Sequence, residues 1–574
     1  MPNYFRNLGL AAPLLLLMAS VPAQAEFSSA EGVSLSGNYL AGRSADRGRD
    51  NAVAAEYLSR ALLEDPDNPV LTEKLFELEL ASGNLPAAEE LARKVIGSSS
   101  QHRMARIVLG MRDFRKQRFA NARKHFAEAA YTPVGELTSA LATAWAYAGE
   151  GNLKEALKAL DKLDGNDSFA NFKSYHGALI ADQLRNSIRA EASYKKAYEQ
   201  AGTSLRIVQA YGNFLERNRR GAEAIKIYQA FLDAGDDNVL VRSALEKAKA
   251  GKIPAAFMAT PGAGAAESLF SLASAMTDEQ SIDVAQLYVQ LALSLKGDNP
   301  VYLTLLGDIH VTTKQYDNAI RAYDEIPASS PLRINADTEI AVNLQRLERT
   351  KDAQAKLKEV IARNATSYEA LVTLGNVHRS NKEYPLATVA YSKALALVTN
   401  IEKDHWRVLY YRGITFERQK MWDKAEADFR QALALVPDEP VVLNYLGYSM
   451  IEKKINLTEA LDMVKKAVEL KPNDGYIVDS LGWAYYQLGD FEEAVGHIER
   501  AVDLNPADPI IGEHLGDVYW RIGRKLEAKF QWQHAKDNDP EAADLKRIED
   551  KLLNGLHPED VAKPAENKSG NTNG

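Results

Sequence analysis

A small residue returns every 34 positions along most of this chain, and no other feature constrains the fold as strongly. It is Ala54, Ala88, Ala122, Ala156, Ala190 and Ala224, then, after an interruption, Ala285, Ala319, Ala353 and Ala387. Ala425, Ala460, Ala494 and Ala528 follow at spacings of 38, 35, 34 and 34. A bulky apolar side chain stands four residues later, as at Leu58, Phe126, Tyr194, Tyr228, Tyr323, Tyr391, Phe429 and Trp532, with another apolar residue three further on. Offsets of 4 and 7 fall on one face of an α-helix. The alanine lets a second helix come close, and the bulky group fills the space beside it. At 574 residues the chain is too long for one compact core, whereas stacked units bury their apolar faces only on their neighbours. The expected fold is all-α, a solenoid of fourteen helix hairpins.

The fullest unit carries Leu481, Gly482 and Tyr485 in its first helix, Gly489 in the turn, Ala494, Ile498 and Ala501 in the second helix, and Pro506 after it. Shifted by 34, the set reads Leu515, Gly516, Tyr519, Gly523, Ala528, Trp532, Ala535 and Pro540. This pattern resembles the tetratricopeptide repeat over roughly residues 35–540, most closely from 298 onward. The resemblance implies hairpins stacked into a right-handed superhelix, with the first helix of each lining a concave surface that holds a protein or peptide. Units near residues 88, 156 and 353 depart from it in lacking the first-helix glycine.

The pattern divides the chain. Residues 1–25 read as a signal peptide: Arg6 precedes an apolar stretch at 8–21, and Ala23-Gln24-Ala25 forms a small-residue cleavage site. The stretch is short for a membrane span and contains Pro13. No cysteine follows it, so lipid attachment of the lipoprotein type is excluded, and a periplasmic location is expected. An N-terminal array of about six repeats spans 26–250, with 237–250 as one helix of a partial unit. The glycine, proline and alanine of 251–266 predict a flexible linker. A C-terminal array of about eight repeats spans 267–540, interrupted at 398–406 by a four-residue insertion. A capping helix at 541–556 and a polar, disordered tail at 557–574 complete the chain.

Composition narrows the function. A formal charge of −9 with no basic stripe disfavours nucleic acid, whose capture needs phosphates neutralised by Lys and Arg. Without cysteine there are no disulfides, thiolate metal sites or cysteine nucleophiles. No phosphate-binding glycine loop, paired-histidine zinc helix or serine elbow is present, so no catalytic residue, metal or cofactor is expected and the chain does not read as an enzyme. His310 and His378 occupy a packing position of the repeat.

What remains is a surface. Counted from the unit starts, Arg407, Tyr410, Asn444, Tyr448, Trp483, Tyr486, Trp520 and Arg521 fall where the resemblance places the concave groove. Aromatics and arginine anchor partners well because they bury large areas with few rotors and still hydrogen-bond. The expected role is a periplasmic scaffold or adaptor that binds a protein, such as an envelope protease or an assembly factor. In length and strong C-terminal units the array is similar to periplasmic repeat adaptors of carboxyl-terminal processing proteases, which differ in being lipoproteins. A repeat component of an envelope polysaccharide export or secretion system is the alternative.

Overall fold

The computed structural model describes residues 34–235, 238–276 and 278–556; the expected signal peptide (1–25) and tail (557–574) lie outside the described residues. Thirty α-helices succeed one another, and no strand occurs among the described residues. All fourteen repeat alanines are fully buried, and of the eight bulky residues named above none is more than 1% exposed. The opposing surface is a first-helix glycine. A Cβ on Gly307 would lie 2.3 Å from the Tyr323 ring, on Gly375 2.4 Å from Tyr391, and on Gly516 2.3 Å from Trp532. The residue after each glycine accepts the ring's polar hydrogen: Tyr323 Oη donates to Asp308 at 2.6 Å, Tyr391 Oη to Asn376 at 2.8 Å, and Trp532 Nε1 to Asp517 at 2.9 Å. Ala494→Leu, which overfills such a joint, is expected to cost about 1–3 kcal/mol in chemical denaturation.

Local chemistry sets the helix ends. Asn68, Asn299 and Asp508 precede Pro69, Pro300 and Pro509; each side chain accepts a backbone N–H of the first turn, and the proline occupies a position whose own N–H would be unpaired. Within most hairpins one residue turns left-handed. Glycine fills that place at Gly83, Gly151, Gly489 and Gly523, but Arg185, Lys382 and Lys420 take it at φ 62°, 60° and 62°.

The described chain forms two compact units, 34–360 and 361–556, whose boundary lies inside the Thr350–Arg363 helix and not at the expected linker. In the first unit the linker reading is corrected. Residues 251–260 are irregular, but Pro261–Ser274 is a helix, with Ala265 and Ala266 fully buried. It packs on the first helices Pro133–Gly149 and Ala170–Gln183, while the next helix, Ile282–Leu295, packs on Pro69–Ala81 and Arg103–Arg115. This hairpin therefore covers the inner side of the N-terminal repeats. Gly264 is there for closeness, not flexibility: a Cβ would stand 2.1 Å from the Trp145 ring. Gln286 and Gln290 donate to the Ala81 carbonyl at 3.0 and 3.1 Å, and the Tyr288 and Thr138 hydroxyls meet at 2.9 Å.

One buried carboxylate fastens the hairpin. Glu267 is fully buried; Arg206 donates to it twice, at 2.8 and 2.6 Å, and Tyr175 and Tyr302 donate at 2.7 and 2.9 Å. Burial pushes this carboxyl up, but the Arg206 charge and the three donor side chains outweigh burial and hold it below the usual range.

In the second unit every substantial helix pairing joins near neighbours in the chain. The run curls, bringing Lys382 Nζ to 3.4 Å from Glu541, 159 residues later. The insertion at 398–406 contains a short 3-10 turn, Lys403–His405. The Ala542–Asn554 helix, expected as the capping helix, follows the last complete hairpin in phase with the first helices before it. It buries Ile548, and Glu549 and Asp550 stand where Leu515 and Gly516 would receive a second helix. An acidic pair there is unlike the Leu-Gly pair that receives a second helix in the complete units.

Candidate partner-binding surface

The first helices Trp406–Arg418, Pro440–Glu452, Gly475–Leu488 and Pro509–Arg521 stand side by side, and the eight expected groove residues lie on them. Adjacent helices approach closely enough to cover some of these side chains. Tyr410 is 9% exposed, held between the rings of Phe429 and Tyr445 at centroid distances of 6.0 and 5.9 Å. Asn444 is fully buried, and neither amide atom has a partner. Tyr486 is 3% exposed. These three belong to the interior and not to an open wall, because a position facing the groove in one helix also faces the next helix when the run curls.

Trp483 is half-buried in a three-ring stack. Tyr486 lies on one side, at 4.5 Å and 10°, and His514 stacks on the indole too, at 3.9 Å and 14°. Its Nε1 donates to Glu452 at 2.7 Å. It therefore presents an edge, not an open face. Trp520 packs on Trp532 at 5.2 Å, and Lys525 Nζ lies 3.8 Å from its centroid. Arg407 is exposed, 4.9 Å over the Trp406 ring, and Tyr448 and Arg521 are half-buried. Arg407, Tyr448, Trp520 and Arg521, with the Trp483 edge, are what the structure leaves accessible.

The charged residues behind this wall were not singled out from the sequence. His514 Nδ1 lies 3.0 Å from both Asp479 carboxylate oxygens. Glu513 accepts from Arg547 twice at 2.6 Å and from Lys551 at 2.6 Å, and Lys551 also reaches Asp517 at 2.6 Å. Burial raises the Asp517 carboxyl despite Lys551, whereas at Glu513 the two cations outweigh burial and lower it. A signal existed: Glu513 and Asp517 stand 34 residues before Arg547 and Lys551, so equivalent positions on successive first helices change sign.

At His514, burial favours the neutral ring, but Asp479 outweighs it and raises the pKa above 6.5. The ion pair then stabilises the fold fully below about pH 6.5, and the contribution is lost as pH rises through the folded value. NMR titration of His514 is expected to give a midpoint above 6.5, and Asp479→Asn, which removes the strongest opposition to burial and leaves only the weaker pull of Glu513 and Asp517, is expected to lower it.

Curling hairpins with a polar-aromatic inner wall are the architecture of a scaffold for protein–protein interaction. Tetratricopeptide repeat models match residues 39–103, 338–400, 406–439 and 482–523. The chain is a tetratricopeptide repeat protein. Among curated proteins it is similar to TPR repeat-containing protein PA4667 of Pseudomonas aeruginosa, 35% identical over 82 residues, which are 14% of each chain. It is also similar to human protein O-mannosyl-transferase TMTC1, 24% identical over 180 residues, 31% of this chain and 20% of that protein. The chain thus spans a fifth or less of the length of these relatives. Solved structures similar to it include the Cut9-Hcn1 hetero-tetramer of the APC/C (TM-score 0.39, 13% identity, 91% of this chain and 96% of that one) and yeast Tom70 (TM-score 0.33, 14% identity, 90% and 95%).

Proposed function

We propose that this protein is an exported, periplasmic scaffold or adaptor that holds a protein partner against the inner side of the first helices in 361–556. The contrast between the two units carries this reading. The inner side of the N-terminal repeats is covered by the chain's own 261–295 hairpin, whereas among the described residues of the second unit every substantial helix pairing joins near neighbours. The apolar stretch at 8–21 and the small residues before Glu26 support export. The accessible aromatic and arginine side chains are of the kind that anchor a polypeptide. Among the described residues no helix is long and apolar enough to cross a membrane.

The test is affinity isolation of the tagged full-length chain from cells that express it natively, with mass spectrometry of its N-terminus and of what copurifies. A chain beginning at Glu26, in the periplasmic fraction, with a reproducible protein partner lost in the Arg407→Glu/Tyr448→Ala double variant, is the expected result. A chain retaining residues 1–25 in the cytoplasm, or one with no reproducible partner, contradicts the proposal.

A further inference from the structure

The first and last helices of the described chain each keep one face that no other described residue covers. In Leu35–Arg47, the residues Leu40, Arg43 and Arg47 share a face and are all exposed, Leu40 at 67%. Arg43 donates to the Tyr39 hydroxyl at 3.0 Å, and among the described residues neither arginine meets a carboxylate. In Ala542–Asn554, the residues Lys546, Glu549, Asp550 and Leu553 share a face and are exposed, Leu553 at 81%. Glu549 reaches Lys536 at 2.8 Å, and Asp550 accepts from Asn554 at 2.7 Å, so both carboxylates have partners and still stand at the surface. The terminal units of a repeat array need a polar outer face for solubility. That need does not account for these two faces. Each sets a widely exposed leucine beside two charges of one sign, arginines at one end of the array and acids at the other.

We propose that copies of this chain associate head to tail, the Leu40–Arg43–Arg47 face of one against the Glu549–Asp550–Leu553 face of the next. The charges are complementary, and so is their order along the helices. Leu40 precedes its arginines, whereas Leu553 follows its acids. An antiparallel crossing therefore sets leucine on leucine, Arg43 beside Asp550, and Arg47 within one helical turn of Glu549. Lys546 is the one charge on that face that opposes Arg47. A two-fold contact at either end would set arginines on arginines or acids on acids, which leaves the head-to-tail contact favoured. One helix crossing is a small interface, so the association is weak and is screened by salt. Neither face includes Arg407 or Tyr448, so this inference and the scaffold reading stand or fall separately.

The test is sedimentation velocity at low salt, over a wide concentration range, on the chain purified from the cells that express it natively. The average mass is expected to rise with concentration and to fall back towards the monomer when salt is added. Arg43→Glu/Arg47→Glu is expected to weaken the association about tenfold or more, because acids then face acids, and Glu549→Arg/Asp550→Arg to do the same with arginines. Leu553→Ser, which changes no charge, is expected to weaken it by about tenfold. Mixed in equal amounts, the two charge-reversed variants are expected to associate again, since the altered face of each then meets a face of opposite sign on the other. That recovery also shows both variants to be folded. The inference is overturned if the unaltered chain sediments as a monomer at every concentration, if either charge-reversed variant associates as the unaltered chain does, or if the equal mixture does not recover.

Discussion

Replacing Glu267 by alanine is expected to destabilise the 34–360 unit by about 3–5 kcal/mol, the cost of breaking a buried ion pair from one side. The size follows from what the carboxylate satisfies. Arg206 has a side chain only 15% exposed, and Tyr175 and Tyr302 are buried; all three direct donors at a group that is itself fully buried. Without Glu267 the guanidinium loses its anion and two buried hydroxyls lose their acceptor. Hydrogen exchange measured by mass spectrometry is the suitable probe, because an array need not unfold as one step. Peptides within 261–295 should lose protection first and furthest. The sign with pH is fixed as well. The carboxyl is held below its ordinary value, so its contribution is present above about pH 4.3 and is lost as pH falls through the folded value. Unchanged protection in Glu267→Ala would show that the hairpin is not fastened there.

Trp532→Ala is expected to cost about 3–5 kcal/mol, the usual penalty for emptying a large buried aromatic site. Trp532 is fully buried in the joint with Gly516, donates to Asp517, and supports Trp520. Its loss opens a cavity in the last complete hairpin and removes a donor from a carboxylate already raised by burial. Because each unit contacts mainly its neighbours, the damage should stay local. Protection should fall across 509–556, while the Trp406–Arg418 and Pro440–Glu452 helices keep theirs. Uniform loss across 361–556 would mean that the unit unfolds as one body.

The repeat joint was legible in the sequence because it rests on identity and spacing: an alanine, a bulky partner four residues on, and a glycine across from them. Every one of those alanines is buried. The 251–266 segment was misread because glycine and alanine serve two opposite ends. In a solvated chain they give freedom; against Trp145 they give closeness, and the tryptophan lies over a hundred residues away in sequence. No local pattern reveals that contact. The left-handed turn position was legible only where glycine fills it, since Lys382 and Lys420 take the same φ without any sign of it. On the candidate surface, Arg407, Tyr448, Trp520 and Arg521 keep some exposure, as helical phase suggests. It failed for Tyr410, Asn444 and Tyr486, because phase gives the direction of a side chain and says nothing about how near the next helix comes.

The most direct measurement is site-specific photocrosslinking in the cells that make the protein. A benzophenone side chain is placed at Tyr448 on the inner side of the second unit, and another at Glu492 on a second helix. The account predicts one discrete, heavier adduct from position 448 and none from 492. Adducts from 492 alone, or none from either under conditions where the chain is folded and abundant, would contradict a partner held on that wall.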